Sequence, residues 1–269
     1  MSIVDFGLWT LDFGLMDAES PRCERCDDTG WVVEGDKAFR CDCYESLRQD
    51  ILISQANIPD RYSHCSLREF EVGNDSSLLR ARNIAMDFVR SYPMRRDGLL
   101  FMGGCGVGKT HLAVGIIKDI MSKSVPCLFV DFRALLGEIK ETYSDPKGET
   151  SESDVLEPVL ETDVVVLDDL GAERISEWVR DRLGFIINHR YNHKKAMIIT
   201  TNYMDAAGKR NGLTRTTETL QDRIGVRLRS RLYEMCELVE IDADDYRQNL
   251  AATKPAKKRG RPRKGGAEE

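Results

Sequence analysis

No stretch of this 269-residue sequence approaches the ~18 consecutive apolar residues that a membrane-spanning helix needs. The N-terminus also lacks the charged-then-apolar pattern of a secretory signal, so a cytoplasmic setting without membrane contact is expected. No internal repeat is found, which sets aside repeat architectures. In that setting the eight cysteines favour free thiols and metal ligands over disulfides. Charge is plentiful but uneven. The tail from Lys254 onward holds seven Lys/Arg against two Asp/Glu, leaving 32 basic and 43 acidic residues in the rest. An acidic body with a basic tail points to a separate partner for the tail.

The most informative segment is GLLFMGGCGVGKTH at 98–111. Leu99–Met102 reads as a short buried strand, and Thr110–Met121 as a helix with apolar positions at Leu112, Ile116, Ile117 and Ile120. Between them Gly103, Gly104, Cys105, Gly106, Val107, Gly108, Lys109 and Thr110 spell a complete Walker A loop. Glycines let successive backbone N–H groups converge on phosphate oxygens at the positive end of a helix. Lys109 is expected to reach the β- and γ-phosphates, Thr110 to take a Mg²⁺ position, and His111 to complete the ATP-binding run.

Strand and helix signals then alternate from Gly98 to Ile241. Further strands are expected at Pro126–Val130, Val164–Leu167, Met197–Thr200 and Glu237–Ile241. Further helices are expected at Ala134–Thr142, Glu177–Tyr191 and Glu218–Leu232, with a surface loop at Asp145–Ser153. Such alternation implies an α/β fold with a parallel sheet covered on both faces. Val164–Leu167 ends in Asp168 and Asp169, the pattern of a Walker B strand. Asp168 is assigned to Mg²⁺ and Asp169 to the attacking water, although the usual glutamate is absent at the second position. Asn202, at the tip of MIITTN, is placed to contact the γ-phosphate or that water. In DRIGVRLRSRLYEMC (222–236) Arg231 is chosen as the cation supplied to a neighbouring subunit's nucleotide, with Arg227 second. Too little chain follows Leu232 for a helical lid, so an ATP-dependent homo-oligomer is expected.

GGCGVGKTHLA, VVVLDDLGAE, IITTN, and DRIGVRLRSRLYEMC with a terminal DYR together resemble the AAA+ ATPases of the DnaC/DnaI helicase-loader and IstB-like group, over about Ile58 to Arg247. The resemblance implies a P-loop NTPase of AAA+ type with a five-stranded parallel sheet in 5-1-4-3-2 order. It implies an arginine finger at Arg231, and ATP hydrolysis coupled to assembly on DNA or on a DnaB-type helicase. Three functions follow as candidates: loading or remodelling a replicative helicase, assisting a transposase in target DNA selection, and acting as an ATP-switched DNA-binding adaptor with negligible turnover.

Cys23-x2-Cys26 and Cys41-x-Cys43 are separated by 14 residues. Two close pairs can surround one Zn²⁺, and Trp31–Val33 between them reads as a short strand. Redox thiols and unliganded cysteines are the alternatives. His64 and Cys65 read as packing residues, Cys105 and Cys127 as buried bystanders. In the tail, Arg259-Gly260-Arg261-Pro262 matches the core of an AT-hook, which would fit the narrow minor groove of A·T-rich duplex; a generic basic tail is the alternative. Single-stranded DNA is expected at the assembled ATPase. The expected organisation is an unassigned segment at 1–20, a zinc module at 21–46, a helical linker at 47–66, the ATPase at 67–248 and a basic tail at 249–269.

Overall fold

The computed structural model describes residues 23–144, 150–173, 176–205, 209–210, 213–214 and 218–248. The chain divides into two units, one ending at Asp50 and the other beginning at Ile51. In the first, β1 (Trp31–Glu34) and β2 (Lys37–Arg40) form an antiparallel hairpin with Trp31 opposite Arg40. Helix α1 (Tyr44–Gln55) follows and runs across the division.

The second unit is built on five strands: β3 (Gly98–Gly103), β4 (Cys127–Asp131), β5 (Val164–Asp168), β6 (Ala196–Thr201) and, after two residue pairs β7 (Lys209–Arg210) and β8 (Leu213–Thr214), β9 (Cys236–Ile241). The five long strands are parallel and ordered β4-β5-β6-β3-β9. Numbered among themselves and read from β9, that is 5-1-4-3-2, the order the resemblance implied.

Their sequences are apolar runs rather than alternations because both faces are covered. Leu99 and Phe101 of β3 point into a core shared with α2 (Ser76–Ser91) and α3 (Lys109–Met121). Leu100 and Met102 point the other way, into a core with α4 (Phe132–Thr142), α5 (Glu152–Glu161), α6 (Glu177–Asn192), α7 (Leu220–Ile224) and α8 (Val226–Met235). The period-2 split of β3 therefore defines two cores, one on each side of the strand that carries the glycine loop.

Two readings need correction, and one helix is new. The helix expected over Glu218–Leu232 is broken at Gly225, whose φ of 85° and ψ of 157° no helix accommodates, giving α7 and α8. The expected loop at Asp145–Ser153 overlaps the start of α5, where Ser151 and Asp154 form a capping box; residues 145–149 lie outside the described residues. Helix α2, unassigned from sequence, is set by Asp75, whose side chain accepts from Ser77 N and Leu78 N.

Arg190 of α6 is wholly buried. Its guanidinium donates to the carbonyls of Val159, Leu160 and Thr162 through Nη1, and to those of Asp163 and Ala196 through Nη2, at 2.6 to 3.3 Å. Several of these are the carbonyls that the end of α5 leaves without helical partners. Arg190 thus joins the end of α5 to the starts of β5 and β6.

Candidate functional site

Strand β3 delivers Gly103 to the loop, and α3 begins at Lys109. Gly106 and Gly108 have φ of 73° and 94°, backbone that only glycine adopts easily. A Cβ on Gly106 would lie 1.8 Å from Asp245 Oδ1, and one on Gly108 would lie 2.6 Å from the Phe70 ring. The loop is therefore held between Phe70 on one side and the segment after β9 on the other, where Tyr246 N donates to the Gly106 carbonyl at 3.1 Å.

The Lys109 ammonium donates to the carbonyls of Gly103 (3.1 Å) and Gly104 (2.7 Å) and to Asn202 Oδ1 (2.7 Å). Burial holds its pKa below the ordinary lysine value. Asn202 Nδ2 donates in turn to Asp169 Oδ1 at 3.1 Å, so one amide links the loop lysine to the second acid of β5. Asp169 sits at φ 56°, a left-handed conformation that Asp tolerates better than most residues. It turns the chain directly after the strand and brings the carboxylate to Asn202.

Thr110 Oγ1 donates to Asp168 Oδ1 at 2.9 Å. The same oxygen accepts from Thr200 Oγ1 at 2.6 Å, and Thr200 Oγ1 accepts from Asp169 N at 2.9 Å. Burial raises the Asp168 pKa, with both threonine hydroxyls opposing the shift. Thr200 is fully buried and orients both acids. Sequence reading treated it only as part of a strand; the available signal was a pair of hydroxyls immediately before Asn202.

In the first unit the four Sγ atoms of Cys23, Cys26, Cys41 and Cys43 all lie within 4.8 Å of one another. Cys23 Sγ is 3.7 Å from Cys41 Sγ, and Cys26 Sγ is 3.2 Å from Cys43 Sγ. A tetrahedral site with Zn–S bonds of about 2.3 Å separates its sulfurs by about 3.8 Å, so the cluster fits the ion. The backbone N–H of Arg25 draws the Cys23 thiol down to about 7, while contact with Cys26 pushes Cys43 up.

A family profile described as "IstB-like ATP binding protein" matches residues 25–253. The chain belongs to this family. Among its relatives the replicative helicase loader DnaI of Bacillus subtilis (strain 168) is 24% identical over 206 residues, covering 76% of this chain and 65% of DnaI. The IstB-like chain thus spans just under two thirds of DnaI. The phage-like element PBSX protein XkdC of the same organism is 25% identical over 251 residues, 87% of each chain. A crystal structure of the DnaC helicase loader is 37% identical, with a TM-score of 0.58 over 68% of this chain and 99% of that one. The fold is accordingly that of the AAA+ P-loop ATPases.

Other expected site residues of the IstB-like chain fall as follows. Val107 packs into the core beneath the loop. Cys105, in the glycine loop, is exposed, a correction to its reading as a buried bystander, whereas Cys127, on β4, is buried as expected. The His111 imidazole faces the 64–70 segment, with Nε2 3.0 Å from the Ser66 carbonyl and its ring edge-on to Phe70. Arg231 is partly buried, bonded to Asn188 Oδ1 and lying 5.9 Å from the Tyr191 ring. Arg227 is exposed, and no described residue pairs with it. Arg259, Gly260, Arg261 and Pro262 lie outside the described residues. No helix among the described residues is long and apolar enough to cross a membrane.

Proposed function

We propose that this IstB-like protein hydrolyses ATP and uses the cycle to load or remodel a replicative DnaB-type helicase on DNA. The observation that carries the proposal is the Lys109–Asn202–Asp169 chain, which joins the phosphate-binding loop to a carboxylate placed to act on water. Lys109 and the backbone N–H groups of residues 103–111 bind the phosphates. Asn202 positions the γ-phosphate against the attacking water, and Asp169 takes that water's proton. The Mg²⁺ that accompanies ATP suits Thr110 and Asp168, and when bound it would neutralise phosphate charge.

Arg231 is proposed as the finger acting on a neighbouring protomer, which would require it to leave Asn188. Arg227, exposed and without a partner among the described residues, is favoured as a second reading. A mixture of Lys109→Ala and Arg231→Ala proteins is expected to recover ATPase activity that neither has alone, because each lends the part the other lacks. If only the mixture with Arg227→Ala recovers activity, the finger is Arg227. Absence of recovery in both mixtures rules out a cation supplied in trans.

The cysteine cluster is proposed as a structural zinc site within a partner-binding module. Protein purified without chelators is expected to carry about one tightly held zinc per chain. A Cys26→Ser, Cys41→Ser double variant should lose that tightly held ion, as elemental analysis after dialysis would show, and wild-type protein free of zinc would refute the site.

The helicase proposal is tested by reconstitution with the host's DnaB-type helicase. ATP should promote a complex of the two on single-stranded DNA, and hydrolysis should release the loader. Removing residues 254–269, where the AT-hook is proposed, should weaken binding to A·T-rich duplex more than to G·C-rich duplex. Capture of a transposase and no helicase from the native host would replace this reading with target-site selection. Negligible turnover with both partners and with DNA would leave an ATP-switched adaptor.

A further inference from the structure

A second group of metal-ligating side chains lies within the ATPase unit, apart from the four cysteines of the first. The ligand atoms of His64, Cys65 and His111 all lie within 4.8 Å of one another. They come from two elements. His64 and Cys65 belong to the segment that follows the short 3-10 turn Asp60–Tyr62, and His111 to the first turn of α3. The His64 and His111 rings meet edge to face, their centroids 6.1 Å apart. Cys65 is buried, His111 half-buried and His64 exposed, so the group opens to solvent on one side only.

We propose that His64, Cys65 and His111 form a second site for a divalent transition metal of the zinc class, which clasps the 64–70 segment to the start of the P-loop helix. Three arguments support it. Two imidazoles and one thiol are a donor set that zinc and cobalt favour over magnesium or calcium. Three protein ligands leave a fourth position for water, and the exposed His64 side gives it a path of entry. The His111 ring is also held from behind by Ser66, whose carbonyl lies 3.0 Å and whose N–H lies 3.2 Å from Nε2; in the tautomer whose Nε2–H donates to the carbonyl, the Nδ1 lone pair is left for a metal.

The surrounding backbone is already fixed. The Lys118 ammonium donates to the carbonyls of Ser63 (2.7 Å) and Cys65 (3.1 Å), which anchors the segment carrying two of the ligands. On binding, Cys65 releases its thiol proton to solvent and its sulfur forms the metal–thiolate bond; both histidines bind as neutral imidazoles, so no oxidant or reductant is involved. The metal would be more easily exchanged than one held by four thiolates, because one of its positions is open to water.

The test uses the full chain with its cysteine module filled with zinc, titrated with cobalt chloride. One further equivalent of cobalt should bind, giving a thiolate-to-cobalt charge-transfer band about a quarter as intense as a four-thiolate site produces. His64→Ala changes an exposed side chain and leaves the fold intact; it should weaken cobalt binding at least 10-fold. Cys65→Ser should abolish the charge-transfer band even where cobalt still binds through the two histidines. The proposal is overturned by the absence of any new thiolate band at saturating cobalt. It is equally overturned by a band of four-thiolate intensity that His64→Ala leaves unchanged, since that band reports exchange into the cysteine module.

Discussion

Replacing Lys109 by alanine is expected to weaken ATP binding about 100-fold or more, whereas Asp169→Asn should bind ATP normally and hydrolyse it 10²- to 10⁴-fold more slowly, as estimated from the usual worth of charged contacts and of general bases. The different outcomes follow from the two ends of the Asn202 bridge. Lys109 supplies the only ammonium among the described residues that donates to the loop carbonyls of Gly103 and Gly104, so its loss removes the charge on which phosphate binding depends. Asparagine at 169 keeps an oxygen that can accept from Asn202 Nδ2 and keeps the side chain's length. The network should persist while the ability to take a proton is lost. Nucleotide affinity measured by fluorescent-ATP titration, beside steady-state phosphate release, separates the two effects. Wild-type turnover by Asp169→Asn would remove Asp169 from the role of base.

Arg190→Met is expected to cost the second unit about 4 kcal/mol of stability, the scale set by leaving several buried carbonyls without donors. Methionine nearly fills the space, so the loss reports the hydrogen bonds rather than a cavity. Arg190→Lys should recover only part of it, because an ammonium has three donors and no planar fork to reach both the end of α5 and the start of β6. Urea unfolding followed by tryptophan fluorescence measures the difference. A loss below ~1 kcal/mol for Arg190→Met would show that water replaces the guanidinium without penalty.

Much of the architecture was legible because the buried strands are short β-branched or apolar runs placed between amphipathic segments. All five long strands, and the three helices α3, α4 and α6, lie within a residue or two of their expected bounds. Less legible were elements whose local signals conflict. Helix α5 contains Pro158 and begins in a polar stretch, so its capping box was outweighed by the turn-like composition around it. The break at Gly225 was hidden because the apolar spacing continues through it into Leu228 and Leu232. The Walker motifs announced Lys109, Thr110, Asp168 and Asp169, since phosphate chemistry fixes their local spacing. Thr200, Phe70 and Asp245 had no such signal: Thr200 acts on the two acids, and Phe70 and Asp245 on Gly108 and Gly106, from distant parts of the chain. Arg190 was unforeseen for a related reason, since an arginine on an amphipathic helix reads as solvated until the helix beside it is known to end there.

The order of the strands has a consequence for how the chain is made. Strand β3, which carries the glycine loop, pairs with β6 on one side and β9 on the other, through Leu99 opposite Ile198 and Gly98 opposite Cys236. Both neighbours are synthesised long after it. A nascent chain that has reached residue 195 already contains the glycine loop and both acids, yet β3 has neither of its flanking strands. Its backbone N–H and C=O groups lack a partner on one side until β6 emerges and on the other until β9 does, and such exposed apolar edges invite association with other chains. Asp245 and Tyr246, which close over the glycines, arrive later still. Full support of the glycine loop is therefore deferred until residues 236–246 have been made, and a product truncated before Cys236 would keep every phosphate-binding motif while lacking the strand that completes their support.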